Sequence, residues 1–486
     1  MSRPFPSCVL VNNAAVLMTA SKLCYVIIIA SACMGWWWWM GRFPLELTSD
    51  DALNFSRGVE RFSVLEFRPH FPGYPAFIGL SRLAAIWVEA AVASIWVSML
   101  SAMLIPLLVA RLAYLLSSSW PAATLGCVLA LMQPLLASMA LSGLSDSTAI
   151  MVFLSALIAA LQQKHSMVGF WIGLMLATRP SYLPLALGMA MLPCWGNYVG
   201  SKIRAYLQAS IAIAAIGSLS LGFIWFHDGA AYFEEGIRFT QGHFTIWGNT
   251  VEGDNASLWQ WVEALGKGFG WLGLIVVLVS LFSAVIGLAS TPMSKSLNFR
   301  NQASRRQQLA LTAVIAWLYW AWITFGQNPD NLRHWAPVLF LFLTVLPVQL
   351  AGLQKIFEAS RLGVVAVSVL GICPMFYCLI LGYQNVQSAP SQAPIQQAMS
   401  WIRANPKVTV VGTNYSVNLL RAQLGSHAIY DMYYPSSKLA LVNAHKRTPQ
   451  SAWRLSGTRL TDQQLVTEFS PRFIGERRLF LYQISQ

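Results

Sequence analysis

Apolar runs long enough to cross a bilayer recur along this 486-residue chain, and they leave it few ways to fold. A span needs about 20 mostly apolar residues. Inside hydrocarbon every backbone N–H and C=O must be bonded within the segment, so a run of that length is a helix. On this measure the sequence predicts eleven helices, near 14 to 40, 84 to 110, 120 to 141, 147 to 162, 167 to 178, 181 to 195, 205 to 227, 269 to 290, 309 to 325, 335 to 353 and 362 to 383. Composition agrees, since 56% of the residues are hydrophobic and 10% charged, against about 25% charged in soluble domains. The first run is too long for a signal sequence, whose apolar part spans roughly 7 to 15 residues. It reads as a retained helix that ends in Trp36 to Trp39, the residue type of a membrane-water interface. The fold class is therefore a polytopic α-helical membrane protein.

A net charge of +13 would suit a nucleic-acid binder, but the basic residues lie in short connections and in the last hundred residues, with no sustained basic run. Bilayer orientation accounts for them. With the N-terminus in the cytoplasm, Arg3, Arg111, Lys164, Lys202, Arg204, Lys295, Arg300, Arg305, Arg306, Lys355 and Arg361 collect inside, as the positive-inside rule requires. The same orientation places the first loop (42–82), Asp146, Arg179, the loop 228–266 and the segment QNPDNLRH on the outer face. From Gln384 the composition turns soluble: VTVVGTN, HAIYDMY and RRLFLYQI read as strands and SVNLLRAQLG as a helix. The expectation is a transmembrane domain over 1–383 and a small α/β domain over 384–486 on the outer, periplasmic or lumenal side. All seven cysteines fall in the N-terminal tail or in apolar runs, which gives neither a disulfide framework nor a CxxC metal pair.

Charge and proline concentrate just after the first run, in TSDDALNFSRGVERFSVLEFRPHFPGYP, residues 48 to 75. Thr48 or Ser49 can cap a helix that begins near Asp50. Ala52, Phe55, Val59 and Phe62 form one stripe, which suits an interfacial helix lying on the outer membrane surface, and Asp51, Asn54, Arg57 and Arg61 form another. Successive helical residues point about 100° apart, so Asp50 and Asp51 cannot both address one reacting atom, and one of them is structural. Helix capping alone would also explain the pair. The run Arg68 to Pro75 is a proline-locked turn that carries His70 beside these acids. Farther on, Thr178-Arg179-Pro180 interrupts two apolar runs. Arg179 at that depth needs an ion partner or a ligand, and Asp146 is either a helix cap or that partner. Arg333 and His334 open a late span, where snorkelling to the interface explains them as well as ligand binding does. His243 and Trp247 lie in FTQGHFTIWGNTVEGDN, a mixture that suits either sugar stacking or a loop resting in lipid headgroups.

Asp50-Asp51 after the first span, HFPGYP before the second, the TRP break and NLRHWAPVL opening a late span resemble the GT-C membrane glycosyltransferases in their order and common side. The nearest group is the protein O-mannosyltransferases and aminoarabinose transferases (glycosyltransferase family 39), which use polyprenyl-phosphate sugars. The resemblance covers the chain to about residue 383. It implies an inverting glycosyltransferase that moves a sugar from a polyprenyl-phosphate donor to a hydroxyl on a lipid, glycan or protein. The reaction would occur at the outer face of a membrane, a bacterial inner membrane in the first instance. Carried onto this chain, it makes Asp50 the catalytic base and Asp51 the adjacent acid. Arg179, Arg333, His334 and His70 would bind the donor phosphate, and His243, Trp247 and Tyr74 would touch sugar or acceptor. The chemistry is coherent by itself: phosphate is already a good leaving group, so a base for the hydroxyl and cations for the phosphate suffice. No cofactor and no metal are expected. The chain has no WWD-type motif, unlike the oligosaccharyltransferase branch, and HFPGYP differs from the double-proline turn of the aminoarabinose group, which leaves sugar and acceptor open. A transporter or flippase of a lipid-linked saccharide, or a non-catalytic assembly subunit, could carry the same arginines. A transporter, however, should show a polar path across the whole membrane and internal repeats.

Overall fold

A computed structural model describes residues 8–191, 201–246, 250–251, 254–255, 258–289, 297–327, 331–357, most of 376–387, 391–447, and 452–484 apart from 462. Up to residue 357 the described residues are mainly helical. The helices are α1 (Cys8–Met40), α2 (Asp50–Glu60), α3 (Pro75–Ala84), α4 (Ala90–Ser117), α5 (Trp120–Met132), α6 (Pro134–Ala140), α7 (Asp146–Leu161), α8 (His165–Thr178), α9 (Leu183–Met189), α10 (Lys202–Asp228), α11 (Ala231–Ile246), α12 (Leu258–Ala289), α13 (Leu297–Gly326) and α14 (Ala336–Phe357). Their common core includes Ile105, Phe153, Tyr319 and Phe340, all fully buried. By contrast α10 leaves Leu219 and Phe226 71% and 84% exposed, an apolar surface suited to lipid.

Among the described residues four helices are long and apolar enough to cross a membrane, over 20–40, 90–117, 202–228 and 332–352. A fifth results if α5 and α6, bent by 60°, form one broken span. The eleven expected spans thus separate into these, several shorter apolar helices, and 362–383, most of which lies outside the described residues. Proline causes the breaks. Pro134 has no N–H to continue the ladder, and Gln133 Oε1 accepts from Leu135 N at 3.3 Å to start α6. Arg179 is extended, with a 3-10 turn over Pro180–Tyr182 before α9. The expected loop at 228–266 contains α11, a two-residue ladder of β1 (Thr250–Val251) with β2 (Asp254–Asn255), and the start of α12.

After residue 391 come α15 (Pro394–Ala404), β3 (Val410–Thr413), α16 (Val417–Gln423), β4 (Ala428–Asp431), α17 (Pro435–Arg447), β5 (Ala452–Ser456), β6 (Gln464–Phe469) and β7 (Leu479–Gln483). Five strands form a sheet in the order β4-β3-β5-β7-β6. β3 runs parallel to β4 and β5, whereas β7 is antiparallel to β5 and β6. Parallel neighbours need crossover connections, which α16 and α17 supply.

This C-terminal α/β unit is docked on the helical part. Phe473, 2% exposed, packs between Trp39 and Phe43 at ring distances of 5.8 and 4.9 Å. Gln396 Nε2 donates to Leu47 O at 2.8 Å, and Ala393 N to Glu46 Oε2 at 3.2 Å. The helix expected to lie on the bilayer surface is instead held between two protein bodies. On its stripe Ala52 and Phe55 are buried against Phe77, Ile78 and Leu144, Val59 is also buried, and Leu53 on another side joins the C-terminal core with Ile395 and Leu419. Periodicity identified the apolar face correctly but could not say that protein, and not lipid, covers it.

Truncating a buried phenylalanine costs roughly 3–5 kcal/mol. Phe473→Ala is therefore expected to lower the unfolding temperature of the detergent-solubilised protein and to make residues 391–484 separable by limited proteolysis. Unchanged melting and unchanged proteolysis would refute the docking role of this side chain.

Candidate active site

The site grows out of the first turn of α2. Ser49 is extended and its Oγ accepts from Ala52 N at 3.1 Å, so the helix starts at Asp50. Helical spacing then turns the two aspartates apart. Asp50 Oδ1 accepts from Leu419 N at 2.8 Å, in the first turn of α16. The cap residue of α16, Ser416, is left-handed at φ 50° and makes no side-chain cap, so Asp50 supplies the missing acceptor from across the interface. Burial pushes the Asp50 carboxyl up, against the pull of the Leu419 and Asn418 N–H groups.

Asp51 faces the other way. Its Oδ1 stands 3.7 Å from His70 Nδ1 and its Oδ2 3.6 Å from Arg333 Nη2. Burial would raise it, but the positive potential of His70, Arg333 and Arg179 outweighs that and holds the carboxyl below its ordinary range. Its side chain is still 42% exposed. The opening is a cleft of about 770 Å³ between the helical part and the C-terminal unit, lined by Ser49, Asp51, Ser142, Arg333, Tyr415 and Arg477 among others.

His70 is brought there by its turn. Gly73, at φ +92°, has a backbone that a side chain would strain, and a Cβ there would meet Val64 at 2.8 Å. Gly58 lets the turn lie on α2, since a Cβ would meet Arg68 O at 2.9 Å. The His70 Nε2 to Tyr74 Oη distance is 3.0 Å. Burial pushes the Tyr74 hydroxyl up to about 12, so it keeps its proton and can donate to Nε2, which leaves the imidazole proton on Nδ1 facing Asp51. Burial also lowers His70, with Arg179 and Arg333 acting in the same direction against Asp51.

Arg179 terminates α8 and is buried. It donates from Nη1 to Asp146 Oδ2 at 3.2 Å and to Ser145 Oγ at 3.3 Å, and its Nη2 lies 3.2 Å from Asp146 Oδ1. Of the two readings for Asp146, the structure thus provides the ion pair. Arg333 enters from the 3-10 turn Leu332–Trp335 that precedes α14. Arg179 Nε, Arg333 Nε and His70 Nδ1 are buried donors with no acceptor among the described residues.

Asp51, His70, Tyr74, Arg179 and Arg333 therefore converge, whereas Asp50 is committed to the C-terminal unit. The two aspartates part for a geometric reason, because the side of α2 that meets α16 is the side of Asp50. His334 is buried beside Arg333 and makes no ion pair with Asp51 among the described residues. His243 lies on α11 with its side chain outside the described residues, as is the whole of Trp247. Sequence reasoning missed Tyr415 and Arg477, which face the cleft with the Arg477 guanidinium 5.7 Å from the Tyr415 ring; no motif marks them. Among the described residues no group of three or more His, Cys, Asp or Glu side chains is arranged to hold a metal.

No family model and no curated protein sequence matches the chain. Solved structures do. The oligosaccharyltransferase of Archaeoglobus fulgidus in complex with zinc and sulfate aligns over 88% of this chain and 67% of its own, at 11% identity and a TM-score of 0.50. ArnT from Cupriavidus metallidurans bound to undecaprenyl phosphate aligns over 95% of this chain and 98% of its own, at 11% identity and a TM-score of 0.47. The chain shares its overall fold with the former.

Breaking a buried ion pair from one side costs roughly 3–5 kcal/mol, because the remaining charge is left uncompensated. Asp146→Ala should therefore destabilise the protein strongly in thermal unfolding, and Arg179→Met in the same chain should recover much of the loss. Equal destabilisation by the single and double variants would contradict the pairing.

Proposed function

We propose that this protein is an inverting glycosyltransferase that moves a sugar from a polyprenyl-phosphate donor to a hydroxyl acceptor at the outer face of the membrane, with Asp51 as the base. The observation that carries this reading is the placement of Asp51 at a cleft wall, between Arg333 and His70 and within the field of Arg179, each with an unsatisfied buried donor. A phosphodiester would satisfy those donors, and arginine matches phosphate oxygens with a fork of N–H groups. The GT-C fold supports the reading.

The step is a single displacement. Asp51 takes the proton of the acceptor hydroxyl as its oxygen bonds to the anomeric carbon. The bond from that carbon to the phosphate oxygen breaks, its electron pair leaves on the phosphate, and the configuration inverts. Arg333 and His70, with Arg179 behind them, stabilise the leaving phosphate. Their contacts to Asp51 at 3.6 and 3.7 Å are long for charge-assisted hydrogen bonds, which are about 2.7–2.9 Å, so a phosphate can draw them off. Asp51 then loses the positive charge that depresses it and becomes a stronger base as the donor arrives. Tyr74 keeps the imidazole aimed.

Asp51→Asn is expected to reduce transfer from a polyprenyl-phosphate sugar by at least about 100-fold, the scale of a lost general base, with folding retained. Wild-type transfer by this variant, or movement of the lipid-linked sugar across vesicles without transfer, would contradict the proposal. The pH profile carries a second expectation. Since kcat/KM reports the free enzyme and the Asp51 carboxyl lies below its ordinary range there, activity should not rise through a base titrating at about 6.5, and loss through Asp51 should begin only below about pH 4. An acidic limb near neutrality, with activity rising through about pH 6.5, would point to His70 as the base instead.

A further inference from the structure

We propose that Asp50 is a positioning residue, through which seating of the C-terminal unit fixes the orientation of Asp51. The inference rests on the assignment of Asp51 as base. The two aspartates are neighbours on the first turn of an eleven-residue helix, so whatever fixes the rotation of that turn about its axis fixes where Asp51 points. The contacts of Asp51 itself, at 3.6 and 3.7 Å, are too long to do so. Asp50 makes a 2.8 Å bond to the backbone of α16, a short polar contact across the interface, and the Asn418 N–H also acts on its carboxyl. Leu53, one turn on, is buried in the same C-terminal core, and the segment before α2 is bonded by Gln396 and Ala393. Ala52 and Phe55 are buried on the helical side. The turn is thus gripped from both bodies, and the C-terminal unit is part of the apparatus that aims the base as well as a wall of the cleft.

Asp50 has only to accept a hydrogen bond in this role, which an amide oxygen can also do. Asp50→Ala, Asp50→Asn and Asp51→Asn separate the possibilities in the full-length protein. For Asp50→Ala, kcat should fall roughly 100-fold, the scale of a misplacement near 1 Å, while the KM for donor stays within about twofold. Asp50→Asn should restore kcat to within about threefold of wild type, because the acceptor for Leu419 N is restored. Hydrogen-deuterium exchange should accelerate over both 46–60 and 417–423 in the alanine variant and return to wild-type rates in the asparagine variant. Full activity of Asp50→Ala, or unchanged exchange over 46–60, would overturn the proposal. Asp50→Asn as inactive as Asp51→Asn would also overturn it and assign Asp50 a proton-transfer role. Wild-type transfer by Asp51→Asn would instead remove the base assignment, while the exchange experiment, which needs no turnover, would still report whether the two segments are coupled.

Discussion

A guanidinium taken out of water has to be answered by a carboxylate, and the Arg179–Asp146 pair is where this protein meets that demand. Arg179 ends α8 at a proline break and Asp146 begins α7, so the pair joins two apolar helices at the level of the site. Its consequences extend beyond stability. With Asp146 committed to Arg179, Asp51 is left to answer Arg333 and His70. The positive potential that reaches Asp51, Tyr74 and His70 from Arg179 is then fixed in place, independent of any surface side chain. Asp51 is thereby left at the wall of the cleft beside Arg333 and His70.

The second organising element is α2, an eleven-residue helix with protein on two sides. A helix that only rested on a bilayer would need one apolar stripe. This one needs Ala52 and Phe55 of the stripe and also Leu53, which lies off the stripe and belongs to the C-terminal core. The same division separates its two acids: one serves the interface between bodies and the other the cleft.

Much of this is legible in the sequence because the bilayer imposes a simple rule. Long apolar runs become helices, and a charged, proline-rich stretch beside Trp36 to Trp39 stands out against them. Ser49 as cap, the start at Asp50, the stripe on α2 and the break at Arg179-Pro180 all follow from local chemistry, and the structure shows each. What local chemistry could not supply is the partner across space. Nothing in the DDALNF segment says that the N–H of Leu419, some 370 positions away, needs an acceptor, so the two aspartates could be distinguished only once α16 was in place. The breaks and extensions of the helices are hard to read for a related reason. Hydropathy does not register the 60° bend at Gln133-Pro134, nor the continuation of helix into 231–246, where the residues are only moderately apolar. Tyr415 and Arg477 carried no signal because a cleft wall made of single residues from separate loops has no spacing to detect.

If Asp51, Arg333, His70 and Arg179 form one site for the phosphate of a lipid-linked sugar, a bound lipid phosphate must lie among them. A structure of the protein bound to a polyprenyl phosphate tests it most directly. Phosphate oxygens are expected within about 3 Å of Arg333 and of His70 Nδ1, with the Asp51 carboxylate released from both and open to the cleft. A phosphate bound elsewhere, with the contacts of Asp51 to Arg333 and His70 unchanged, would contradict it.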